Sequence, residues 1–138
     1  MSDKALLYAI ELAKPLGSEI AVLYVIDEIE VPASLLLGND RTLIARAKRS
    51  ITAEVKQKWD RFAQGKLRIL AGEKIKAAAE VRVGDPGVEI LMFAKQTHTD
   101  LIVMGSRRLE GISRLTMALD SVARKVSEKA FCPVMLVH

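Results

Sequence analysis

A chain of 138 residues, half of them hydrophobic and 28% charged, is long enough for one domain with a real core and is too apolar to stay disordered. No apolar run approaches the roughly 18–20 residues of a membrane helix. The formal charge of +4 permits an anionic ligand without demanding nucleic acid, and 4% aromatics argue against a stacking platform for single strands. The single cysteine, Cys132, rules out an intramolecular disulfide or a cysteine zinc cluster and suits a reducing cytoplasm. The opening residues, MSDKALLYAI, show neither the basic start nor the cleavage site of a signal peptide.

Residues 2–14 have the spacing of a helix, with Ser2 or Asp3 as cap, Leu6, Ala9, Ile10 and Ala13 on one side, and Pro15 and Gly17 as its end. Residues 19–26, EIAVLYVI, form a β-branched apolar run expected to be a strand covered on both faces of a parallel sheet. Residues 27–39 change character, with Asp27, Glu28 and Glu30 ahead of Leu35-Leu36-Leu37. They are expected to form a loop whose apolar tip packs on the body or on a partner.

From a cap at Asp40, a three-to-four-residue rhythm of apolar positions predicts a long helix to about Ala71, interruptible at Gly65 and ended by Gly72. Its other face carries Arg41, Arg46, Lys48, Arg49, Lys56, Lys58, Arg61, Lys66 and Arg68. That is either a solvated face or a weak polyanion surface, and the interspersed Glu54 and Asp60 favour the first. Residues 75–83 alternate Glu80 and Arg82 with Ala79, Val81 and Val83, as an edge strand with one wet face does. Gly84-Asp85-Pro86 supplies the turn, the N-cap and the first position of a helix over 86–97 that buries Val88, Ile90, Leu91 and Ala94. A strand at 100–105, a glycine-bearing loop, a helix from about Asp120 to Ala130 and a last strand at 132–137 complete the chain. Alternating helices and strands predict a doubly wound α/β fold with a mostly parallel sheet, one domain over 1–138.

The stretch from Asp100 to Val122 carries whatever chemistry the chain has. A buried strand, a loop with Gly105 and Gly111, and a helix start form the junction where α/β sheets bind anions. Ser106 and Arg107 are either phosphate contacts, through backbone amide and guanidinium, or ordinary loop residues. Ser121 is either a phosphate ligand or a first-turn serine beside the cap Asp120. Met104 and Val25, at strand ends, read as ordinary strand core on residue type alone. No Ser-His-Asp set, metalloprotease motif or metal-spaced cluster appears, and His98 and His138 read as surface residues, so catalysis is not expected.

Four pieces in order, ALLYAIELAKPLGSEIAVLYVID, VRVGDPGVEIL, DLIVMGSRR and SVARKV followed by CPVMLV, closely resemble the universal stress protein family across nearly the whole chain. The resemblance implies a five-stranded parallel sheet in the order 3-2-1-4-5. It also implies, for many members, ATP bound at the carboxyl ends of strands 1 and 4 through a loop of the form Gly-x-x-Gly, nine residues, then Gly-Ser or Gly-Thr. Carried onto this chain, it designates Val25, Met104, Gly105, Ser106, Arg107, Arg108, Asp120, Ser121 and Val122 as nucleotide contacts. Three departures weaken the match. Arg108 and Asp120 stand where the pattern has glycines, eleven residues separate them rather than nine, and the family's first strand has no counterpart. The expectation is therefore a stress-response module acting by dimerisation through its C-terminal strand or by partner binding, with weak or lost ATP binding. The alternative is an ATP-binding member using the Gly105–Ser121 loop. Without the first strand, three outcomes are open: the true start lies upstream of Met1, a partner chain fills the gap, or segments 19–26 and 100–105 pair directly. The expectation is the last, a shortened four-stranded sheet, 3-2-4-5, stabilised by dimerisation.

Overall fold

The computed structural model describes the backbone of residues 3–27, 41–106 and 114–138, with side chains except at 41–44, 47–48 and 114–120. Helices and strands alternate as expected: α1 (Asp3–Leu16), β1 (Ile20–Ile26), α2 (Arg41–Gly72), β2 (Ala77–Val83), α3 (Pro86–Gln96), β3 (Ile102–Gly105), α4 (Arg114–Lys129) and β4 (Val134–Val137). The expected apolar loop tip at Leu35–Leu37 and the cap at Asp40 lie outside the described residues.

α1 buries Ala5, Leu6, Ile10 and Ala13, a stripe at helical spacing. It runs one residue past Pro15, which sits in the last turn and lacks the N–H that would bond Glu11. Gly17 takes a φ of 62° beyond the end, and the Ser18 amide bonds the Ala13 carbonyl at 3.0 Å. α2 is continuous for 32 residues, so Gly65 does not interrupt it. The left-handed residue that closes it is Lys74, φ 59°, two beyond Gly72, while the Ile75 amide returns to the Leu70 carbonyl at 3.0 Å. α3 begins as its sequence dictates. Asp85 accepts from the Val88 amide at 3.0 Å, and Pro86 occupies the first turn, where no N–H is needed. Of its predicted core residues, Ala94 is buried but Val88 is 40% exposed, because the buried seam runs through Gly87 and Ala94.

The sheet departs from expectation. β1 pairs in parallel with β2, from Ile20 opposite Ala77 to Ile26 opposite Val83, and β3 pairs in parallel with β4, from Ile102 opposite Val134 to Gly105 opposite Val137. These are two separate two-stranded sheets, so the direct pairing of 19–26 with 100–105 is corrected. The halves are held together by helices instead. α1 packs on β3 and β4 while sending Leu6, Ile10 and Ala13 into the same core as Val22, Tyr24 and Ile26 of β1; α3 packs on β1 and on α4. β1 and β3 are not hydrogen-bonded to each other.

The main core lies on the α1/α2 side of the first sheet and also takes in Ala63, Leu70, Ile75 and Val81. Trp59 packs against Tyr24 at 5.1 Å between ring centroids and against Phe62 at 5.6 Å, the rings tilted in both pairs. Asp3 and Lys66 form an ion pair between α1 and α2 that holds the Asp3 carboxyl below its ordinary range. On the opposite face of β2, the Arg82 guanidinium bonds Glu80 at 2.8 Å and Gln96 at 2.6 Å and lies 5.0 Å over the Phe93 ring. The wet face read from Glu80 and Arg82 is thus where α3 attaches.

Strand burial also differs from expectation. β1 alternates, with Val22, Tyr24 and Ile26 buried and Ala21, Leu23 and Val25 not, and all of β3 is half-buried. Neither is covered on both faces as a central parallel strand would be.

Candidate functional site

Of the sequence-designated residues, Val25 stands near the carboxyl end of β1 and Met104, Gly105 and Ser106 at that of β3. The parallel ladders decide which backbone groups are free there. Ile20 donates to Lys76 and Gly84 donates to the Ile26 carbonyl, both at 3.0 Å, so the even-numbered residues of β1 turn their backbone toward β2. Ile102 donates to Pro133 at 3.0 Å and Ser106 to Val137 at 2.8 Å, so 102, 104 and 106 turn toward β4. The odd-numbered residues of both strands face away from their partners.

This parity divides the designated residues. Val25 and Gly105 present N–H and C=O on the free edges, where a bound group could reach them. Met104 and Ser106 face β4, and the Ser106 amide expected to meet a phosphate is already bonded to the Val137 carbonyl. Arg107 and Arg108 lie outside the described residues.

The helix that should complete an anion site is displaced from its expected position. α4 begins at Arg114 rather than near Asp120, so Asp120 and Ser121 sit in its interior, six and seven residues past its first residue. The cap reading of Asp120 and the first-turn reading of Ser121 are both corrected, because interior amides bond carbonyls four residues back and are not free for a ligand. Ser121 is exposed and Val122 half-buried; the buried side of the helix runs through Ala123 and Val126. A signal for the earlier start stands in the sequence: Leu115 and Leu119, ahead of Asp120, keep helical spacing with Val122 and Val126 beyond it.

Sequence reasoning placed Asp85 correctly as a cap but missed its second contact. Its Oδ1 also lies 3.4 Å from Lys125 Nζ on α4, and the amide bond from Val88, with Lys125 nearby, holds the carboxyl below its ordinary value. Gly87 makes that contact possible, since a β-carbon there would come within 2.7 Å of the Lys125 side chain. Among the described residues no group of three or more acidic, histidine or cysteine side chains is placed to hold a metal, and no helix is long and apolar enough to cross a membrane.

The order of helices and parallel strands places this architecture beside known proteins. Residues 1–138, the whole chain, match the model of the Universal stress protein family. The chain belongs to this family. It is 35% identical to Universal stress protein YxiE of Bacillus subtilis over 145 aligned positions, covering 100% of this chain and 91% of that one. The structure of MJ0577 from Methanocaldococcus jannaschii superimposes with a TM-score of 0.74 over 97% of this chain and 88% of that chain, at 23% identity. The universal stress protein of Archaeoglobus fulgidus in complex with dAMP superimposes with a TM-score of 0.59 over 100% and 90%, at 23% identity. For this universal stress protein, the fold and family expected from the four sequence pieces therefore hold.

Proposed function

We propose that this universal stress protein is a non-catalytic stress-response module that acts by pairing with itself or with another protein, and that its nucleotide site is weak or lost. The observation that carries this is the Ser106 amide, already spent on Val137 at 2.8 Å. The interior position of Asp120 and Ser121 in α4 supports it, because two of the groups a phosphate needs are engaged elsewhere. The self-pairing half rests on β4. It is an edge strand of sequence VMLV, with Leu136 37% exposed, and such an edge favours pairing with another chain. The lone half-buried Cys132 suits a cytoplasmic setting.

A second reading, an adenine-nucleotide-binding module, is favoured by the dAMP complex of the Archaeoglobus fulgidus relative and by the free backbone of Gly105 and Val25 at the site. Thermal melting with and without saturating magnesium ATP separates the two. A ligand at a hundred times its dissociation constant adds about 2.7 kcal/mol, several degrees for a domain of this size. The first reading expects a shift of less than about one degree; a rise of several degrees would replace it with the second. Sedimentation equilibrium tests the pairing, with a dimer expected and its loss expected on Leu136→Lys.

A further inference from the structure

α2 is charged out of proportion to the rest of the chain. It holds nine of the 21 basic residues and two of the 17 acidic ones, a formal +7 on one helix against −3 on everything else. That charge borders an apolar strip. Asp3 pairs with Lys66 and Lys14 with Glu73, so these four residues mark the seam where α1 and α2 face each other. Leu7 follows Asp3 by one turn, and Phe62 and Ile69 stand one turn before and after Lys66, on the same side by helical spacing. All three stay exposed, at 60%, 53% and 47%. Arg61 and Arg68 adjoin Phe62 and Ile69, with Lys58 one turn ahead of them. All three cations are exposed, and among the described residues none of them forms an ion pair.

Gly65 sits at the centre of this patch. Arg61, Phe62, Arg68 and Ile69 are its neighbours three and four residues away, and a β-carbon added to it would meet nothing within 4 Å. Glycine is the weakest helix former after proline, and no contact inside the chain calls for one here. The result is a gap in the side-chain layer of α2, ringed by two apolar side chains and two guanidinium groups.

We propose that this patch docks an acidic amphipathic helix of another protein, laid along α2 with one large apolar side chain over Gly65. This deepens the partner-binding half of the proposed function and rests on it. Charge and shape select the occupant. A row of large apolar side chains meets Leu7, Phe62 and Ile69, and carboxylates beside that row meet Lys58, Arg61 and Arg68. Lys58 to Ile69 spans roughly 16 Å, so about three turns of helix cover it. A second copy related by a two-fold axis would set the patch against itself and oppose like charges. A phosphate surface would satisfy the arginines but has no use for the three apolar groups.

The probe is a fluorescein-labelled peptide of about 14 residues, roughly four turns of helix, with leucines along one face and glutamates beside them. Its binding to the full chain is followed by anisotropy. Saturable binding is expected, weakened at least about tenfold, or about 1.4 kcal/mol, when glutamines replace the glutamates. A scrambled peptide of the same composition is expected to lose as much. Gly65→Gln tells docking from folding. It puts a better helix former into the gap, so the melting temperature is expected to rise while peptide binding falls at least about tenfold. No saturable binding below about 1 mM overturns the proposal, as does equal binding of the scrambled or glutamine peptide. Unchanged binding by Gly65→Gln overturns it, and so does a lower melting temperature for that variant, which would mean that the chain itself fills the gap. A DNA duplex or phosphatidylglycerol vesicles that displace the peptide, and bind Leu7→Ser as well as the parent, would assign the patch to a phosphate surface instead. If the patch fails while the dimer persists until Leu136→Lys, the proposed function still stands.

Discussion

Asp85 shows how one side chain can serve two elements. Its carboxylate closes the first turn of α3 and faces Lys125 on α4, so its charge works at a helix start and across a helix–helix seam. Its folded pKa lies below the ordinary 3.8, chiefly through the Val88 amide bond. A depressed carboxyl contributes stability in full above its unfolded value and loses it as pH falls through the folded one. Asp85→Asn keeps a capping side chain and removes the charge. The melting-temperature deficit of this variant is expected to be constant near neutrality and to shrink below about pH 4. A deficit unchanged down to pH 2 or so would mean that the charge plays no part. The cap itself was readable from Gly-Asp-Pro, because each of those residues has one conformational use there. Asp120-Ser121 misled because an Asp-Ser pair before apolar residues looks the same at a helix start and in its interior. Asp120→Gly, which restores the family's residue, is accordingly expected to give no gain in ATP affinity by calorimetry, since no helix end lies there to be opened.

At the scale of elements, α2 fixes the first half-sheet. Leu70 is fully buried, and Trp59 lies over Tyr24, so this one helix covers β1 from two separate turns. Leu70→Ala is expected to cost about 2–5 kcal/mol. The loss can be read in denaturant from the fluorescence of Trp59, the only tryptophan in the chain. A loss under about 0.5 kcal/mol would mean that the site collapses without a cavity. The existence and order of the eight elements could be read from periodicity, and most ends fell within a few residues. The pairings of 19–26 with 75–83 and of 100–105 with 132–137 were also foreseen, and only the central pairing failed. The apolar runs at 19–26 and 100–105 report how much of a strand can be covered, not which backbone lies beside it, and α1 and α3 settle that by packing between the halves. The candidate site failed in part for the same reason: parity along β3, which commits the Ser106 amide to β4, depends on register and leaves no mark on residue type.

The whole molecule is two parallel pairs joined through helices rather than through a continuous ladder. Its family relation explains the order of the elements, and its departures from the family's loop explain why a nucleotide role remains the second reading. Lys4 Nζ donates to the carbonyl of His138 at 2.8 Å, so the fourth residue and the last one meet across the surface. A lysine side chain spans only about six Å, which brings Lys4 and His138 within reach of a linker of roughly four to six residues. A circular permutant joined there and reopened at the exposed turn between Glu73 and Lys74 is expected to keep the circular dichroism spectrum of the parent. That outcome would make chain order and spatial order separable in this domain and let either half be placed first in a fusion.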